Sequence, residues 1–112
     1  MKGLGGLGNL AGIGNIMKQV QEMQAKLAEI EEELEHEIVE GTAGGGMVTV
    51  VANGRQEIQS IKIEPDLLNP EEFDMLQDMI VAATNQALES SRERRAEKIS
   101  QLTGGLKVPG LM

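Results

Sequence analysis

Apolar positions along the chain fall into two long helical patterns with a short alternating stretch between them. Ile16, Val20, Met23, Leu27, Ile30 and Leu34 recur at spacings of 4, 3, 4, 3 and 4, a heptad-like seam along one side of a helix. Asn15 stands where a cap belongs, and a helix over 15–35 is about 31 Å long at 1.5 Å rise per residue. Downstream, Asn69 is a candidate cap, Pro70 suits a first helical turn, and Glu71 and Glu72 favour the positive end of a helix. Phe73, Leu76, Ile80, Ala83 and Ala87 follow at spacings of 3, 4, 3 and 4. Met79, Val81, Ala82 and Leu88 widen that apolar surface, which predicts burial on more than one side between 76 and 88. The pattern turns polar and basic from Ser90 to Arg95, continues to Leu102 and stops before Gly104. The second half of this helix is expected to project beyond the sheet.

The middle reads as a sheet. Strands are predicted at about 37–42, over Met47–Ala52, which is dense in β-branched residues, and from about Gln56 to Glu64. Gly44, Gly45 and Gly46 allow a tight first connection, and Asn53-Gly54 predicts a two-residue hairpin turn. Ile61 and Ile63 share a face while Ile58 is out of phase with them, so a bulge or two-sided burial is expected. Pro65 ends the last strand. The fold class is therefore α+β, a long helix, a three-stranded antiparallel meander and a long helix (αβββα). One domain spans 13–103, between Gly-rich segments at 1–12 and 104–112 that read as flexible tails.

Composition adds a constraint. Among 112 residues there is one aromatic side chain, Phe73, so burial must come from aliphatics and seven Met. A small core with two long amphipathic helices calls for a partner subunit to cover the remaining apolar surface. The absence of Cys excludes disulfides and thiolate chemistry. His36 has no second His or Cys to share a metal, and Glu31, Glu32, Glu33 and Glu35 lack the spacing of a calcium loop. Gly44–Gly46 lacks the GxxxxGK[ST] pattern and leads into a strand rather than a helix, so it reads as a structural hinge of the sheet, not a phosphate cradle. No catalytic residue, metal, cofactor or small-molecule substrate is expected, and the protein reads as a non-enzyme. No apolar run reaches the roughly 20 residues of a membrane span, and a cytoplasmic location is the expectation.

Charge is distributed unevenly. The formal net charge is −8, yet residues 1–26 sum to +2, 27–88 to −12 and 89–112 to +2. Basic residues thus lie toward the two ends. Arg92, Arg95 and Lys98 follow i, i+3, i+6 spacing, Arg94 lies to one side, and Lys18 and Lys26 are two turns apart on the first helix. These six are the candidate contacts to a polyanion, and the acidic middle restricts where one docks. Spacing alone leaves a second reading open: Glu89 with Arg92, and Glu93 and Glu97 with Arg94, as pairs on a solvated helix. The run Glu29–Glu35 reads as a solvated face, or as a device repelling wrong partners.

Five segments, residues 39–50, 61–68 and 75–87 together with Leu102-Thr-Gly-Gly-Leu106 and Pro109-Gly110, resemble the YbaB/EbfC family of bacterial nucleoid-associated proteins. Gln77 stands where that family usually carries an acidic residue. The resemblance implies a homodimer whose sheets meet centrally and whose helices project like tweezers. It further implies binding of double-stranded DNA, a place in the nucleoid, and effects on nucleoid organisation and gene expression. With neither Trp nor Tyr, nor a clear base-reading helix, contact is expected through phosphates, with low sequence specificity. The competing expectation is a protein-interaction module, an acidic dimeric adaptor for a DNA-processing or replication-associated factor, with Met17, Met23, Met47, Met75 and Met79 as adaptable contacts.

Overall fold

A computed structural model of the chain describes residues 2–102, with side chains from residue 12 onward. Helix α1 (Lys2–Glu35) leads into strands β1 (Ile38–Ala43), β2 (Val48–Asn53) and β3 (Ile58–Ile63). Two 3-10 turns, Pro65–Leu67 and Pro70–Glu72, then precede helix α2 (Phe73–Leu102). The sheet is an antiparallel meander in the order β1-β2-β3, so the architecture is αβββα as expected. α1 starts at Lys2, so Asn15 lies inside the helix and caps nothing, and the helical backbone takes in residues 2–12, which glycine content had placed in a tail. The tail expected at 104–112 lies outside the described residues.

Strand alternation sends Val39, Gly41 and Ala43 to one face of the sheet, opposite Ala52, Val50 and Val48 on β2. α2 covers this face, and Val39, Val48, Val50 and Ala52 form the core with Leu67, Leu76, Ala83 and Ala87. The helix lies unusually close at Gly41, where a Cβ would overlap the Ala83 carbonyl and the Ala87 backbone. Beside it, the Thr42 N–H on the open edge of β1 donates to Gln86 Oε1 at 2.6 Å. Burial of α2 against the sheet is one-sided: Leu76, Ala83 and Ala87 are buried, while Val81 remains 58% exposed. Two-sided burial between 76 and 88 is therefore not met within one chain.

The turns carry the conformational demands. Gly44, Gly45 and Gly46 have φ of +64°, +69° and +96°, a run of left-handed residues that only glycine adopts freely. Asn53-Gly54 does not make the expected two-residue turn. The loop is Gly54–Glu57, and Gln56, at φ +63°, takes the left-handed position. The buried Asn53 side chain imposes this geometry: its Oδ1 accepts from the N–H groups of Arg55 and Glu57 at 2.9 and 3.2 Å, and its Nδ2 donates to Glu57 Oε1 at 2.8 Å. A register shift at Val51/Ala52 sets Ile58 opposite Ala52, which returns it to the face of Ile61 and Ile63. The bulge expected from their phase mismatch is present. Asn69 occupies the cap position of the 3-10 turn before α2, but its side chain turns back to donate to the Asp66 carbonyl at 2.9 Å.

Two glycine substitutions separate these demands. Gly41→Ala forces α2 off the sheet and is expected to cost about 1–3 kcal/mol. Gly45→Val has open space around it but strains the backbone, at about 1–2 kcal/mol. Urea denaturation followed by circular dichroism measures both; a Gly41→Ala protein as stable as wild type contradicts the close helix–sheet contact.

Candidate nucleic-acid interface

The two helices meet at the β2–β3 turn. Leu34, fully buried near the end of α1, presents its carbonyl to the Gly54 N–H at 2.8 Å, and the same N–H reaches the Glu37 carbonyl at 2.9 Å. A Cβ on Gly54 would sit 2.7 Å from Leu34 Cδ2 and 3.0 Å from that carbonyl, so this glycine serves a close approach. On the other side of the turn, the Gln56 N–H donates to Oγ of the buried Ser91 at 2.9 Å. The turn thus fastens the end of α1 to the middle of α2. Beyond it Ile99 is buried and Leu27 and Ile30 are half-buried, whereas Ile13, Ile16, Met17, Val20 and Met23 are exposed. Only the C-terminal half of the predicted α1 seam packs within the chain, and the molecule is drawn out to 81 Å by 21 Å.

That junction brings charges of opposite sign together. Arg95 pairs with Glu31, and Lys98 lies 3.2 Å from Glu33 and 3.5 Å from Glu37. Arg94 Nε is 3.7 Å from Glu37 Oε2. Arg55, on the turn, reaches Glu31 at 3.7 Å and Glu35 at 3.8 Å. The cluster joins four cations to four carboxylates and is neutral as a whole. The hydrogen bond that Lys98 donates to Glu33 holds its ammonium pKa above the usual lysine range; partial desolvation opposes the shift and the Glu37 charge adds to it.

Three of the six candidate DNA contacts, Arg94, Arg95 and Lys98, therefore sit in ion pairs between elements. The pairs foreseen within the second helix, from Glu89, Glu93 and Glu97, are absent among the described residues. Lys18, Lys26 and Arg92 are exposed and carry no ion pair among those residues. Lys18 and Lys26 stand on the exposed stretch of α1, and Arg92 stands on α2 just past the anchored Ser91. His36 is exposed at the end of α1, its N–H bonded to the Glu33 carbonyl at 3.1 Å. The acidic run is only in part a solvated face: Glu31, Glu33 and Glu35 each hold a cation, as does Glu37 just beyond it, while Glu29 and Glu32 hold none among the described residues. A signal for this existed in the sequence. Carboxylates crowded at a helix C-terminus oppose the macrodipole, and neighbouring cations must offset them.

Two long helices on one small sheet, with basic residues on both helices, define a helical-arm scaffold. The chain belongs to the YbaB/EbfC DNA-binding family, whose model matches residues 9–106. It is 54% identical over 96 residues to a nucleoid-associated protein of Pelotomaculum thermopropionicum, covering 86% of this chain and 91% of that one. A nucleoid-associated protein of Clostridium novyi is 49% identical over 109 residues, covering 97% and 96%. Among solved structures, an uncharacterized protein from Helicobacter pylori superposes with a TM-score of 0.73 at 26% identity, over 80% of this chain and 94% of that one. No helix among the described residues is long and apolar enough to cross a membrane.

A double-mutant cycle on Arg95→Ala and Glu31→Ala is expected to give a coupling of only about 0.2–1 kcal/mol, because both side chains are 36% exposed. Lys98 adds a pH signature. Its raised pKa means that its contribution is fully present below the usual lysine pKa and is lost as pH rises through the shifted value. The stability difference between wild type and Lys98→Met is accordingly flat around neutrality and shrinks in alkali, as denaturation at pH values from neutral upward will show.

Proposed function

We propose that this chain binds double-stranded DNA as a homodimer, with low sequence specificity, through phosphate contacts from its helical arms, and acts in the cytoplasm on the organisation of the nucleoid and on gene expression. The observation that carries this reading is the placement of Lys18, Lys26 and Arg92, exposed and unpaired among the described residues, in a chain of a DNA-binding family. The relatives' description as nucleoid-associated proteins agrees with it. Ammonium and guanidinium groups on a helix exterior suit phosphate, and phosphate contacts carry no base information. Arg94, Arg95 and Lys98 form a second set, available to phosphate where their carboxylate partners give way. The excess of acid over base between residues 27 and 88 keeps affinity modest and keeps the duplex to the arms.

The apolar surface supports the dimer. α2 covers β1 and β2 and leaves Ile58 and Ile61 of β3 exposed, with Leu68 and Phe73 also open. A second copy placed there, or along Ile13–Met23 of α1, removes apolar area that monomers seldom expose.

The triple variant Lys18→Ala, Lys26→Ala, Arg92→Ala is expected to lose at least about tenfold in duplex affinity, equally on unrelated sequences, and to flatten the salt dependence by roughly 0.9 per lost contact. Fluorescence anisotropy across a salt series measures both, with circular dichroism and sedimentation confirming fold and dimer. Failure of the wild-type protein to bind any duplex at low salt overturns the reading and favours the protein-adaptor alternative.

A further inference from the structure

We infer that Glu31, Glu33 and Glu37 act as resident competitors of phosphate, so that the C-terminal end of α1 holds back the Arg94, Arg95 and Lys98 site until a polyanion displaces it. The inference rests on the DNA-binding reading above. Its basis is the manner in which these cations are held. All three carboxylates come from one short stretch, residues 31–37, and face the outer half of α2. Their spacing sets a row of negative charge against a row of cations, which is also how a phosphate backbone meets a basic helix.

The contacts of Arg94 and Lys98 are loose enough to exchange. Arg94 presents one nitrogen at 3.7 Å to Glu37 and forms no other ion pair among the described residues, although a guanidinium has five N–H donors. The Glu37 Oε2 it faces is shielded from solvent and accepts no hydrogen bond. Lys98 divides itself between Glu33 and Glu37 at 3.2 and 3.5 Å, where charge-assisted bonds at their best are about 2.7–2.9 Å. The side chains involved are 25–54% exposed, so a phosphate oxygen can approach without unfolding anything. Phosphate fills donors that carboxylate leaves open, and the released Glu side chains pass into water.

The exchange has a signature. A cation already neutralised by carboxylate contributes less to the salt dependence of DNA binding, because the freed carboxylate takes up ions from solution as the duplex releases them. Removing the carboxylates restores the full contribution.

The test compares full-length wild type with Glu31→Gln/Glu33→Gln/Glu37→Gln and with Glu22→Gln/Glu29→Gln/Glu32→Gln. Both variants move the net charge from −8 to −5, but Glu22, Glu29 and Glu32 hold no ion pair among the described residues. Binding to a mixed-sequence duplex is read by anisotropy across a salt series. The first variant is expected to bind about tenfold more tightly than the second, and its plot of log affinity against log salt is expected to be steeper by up to about 3 per chain, 0.9 for each freed cation. Equal affinities and slopes in the two variants reduce the effect to net charge and overturn the inference while wild-type binding still upholds the DNA reading. Absence of binding by all three proteins overturns both. Should the triple variant lose its circular dichroism signal, Glu33→Gln against Glu32→Gln poses the same question, since Glu33 is 54% exposed and its one ion-pair partner among the described residues is Lys98; no difference between them overturns the inference.

Discussion

The fold depends on how closely one helix can lie on one strand. At Gly41 the backbone of β1 comes so near Ala83 and Ala87 of α2 that no side chain fits between them. Small residues on both surfaces make the approach possible, and Val39, Val48, Val50 and Leu76 close around it. A chain whose single aromatic residue, Phe73, lies outside the core must gain cohesion from dense packing. This contact also aims α2. With the helix fixed at residues 83–87, its outer half can only run past the β2–β3 turn, where α1 ends.

At that turn polar groups take over from packing. Gly54 ties the end of α1 through its N–H, and Gln56 ties α2 through Ser91. Beyond these anchors the helices are joined by Leu34, Ile99 and the row of ion pairs. Such pairs are weak at the surface, so the junction is firm at the turn and yielding farther out. The same carboxylates that steady the arm occupy cations well suited to a polyanion. Mechanical and electrostatic roles therefore fall on the same side chains.

Much of this was legible in the sequence because it follows from periodicity. The two helical spacings, the three strands and the Ile58 phase mismatch all mark features that the structure contains. What escaped were competitions between local signals. Asn53-Gly54 has the composition of a two-residue turn, but a buried Asn side chain holding Arg55 and Glu57 gives a wider loop and moves the left-handed residue to Gln56. Asn69 stands at a cap position but bonds backward to Asp66. Arg94, Arg95 and Lys98 are some 60 residues from the carboxylates that hold them, and only tertiary structure brings a pairing over that separation into view. Helical spacing picked out the cations; it could not report which were already engaged.

The placement of the helix junction has a consequence for how the chain is made. α1 is synthesised before everything it docks against: Gly54 in the β2–β3 turn, and Arg95, Lys98 and Ile99 on α2. During elongation Leu27, Ile30 and Leu34 have nothing of their own chain to cover them. The sheet can assemble as soon as β3 emerges, but the arm closes only after residues 95–99 have left the ribosome. On a polysome the nascent α1 segments of neighbouring chains are accordingly exposed to one another before either has a finished α2.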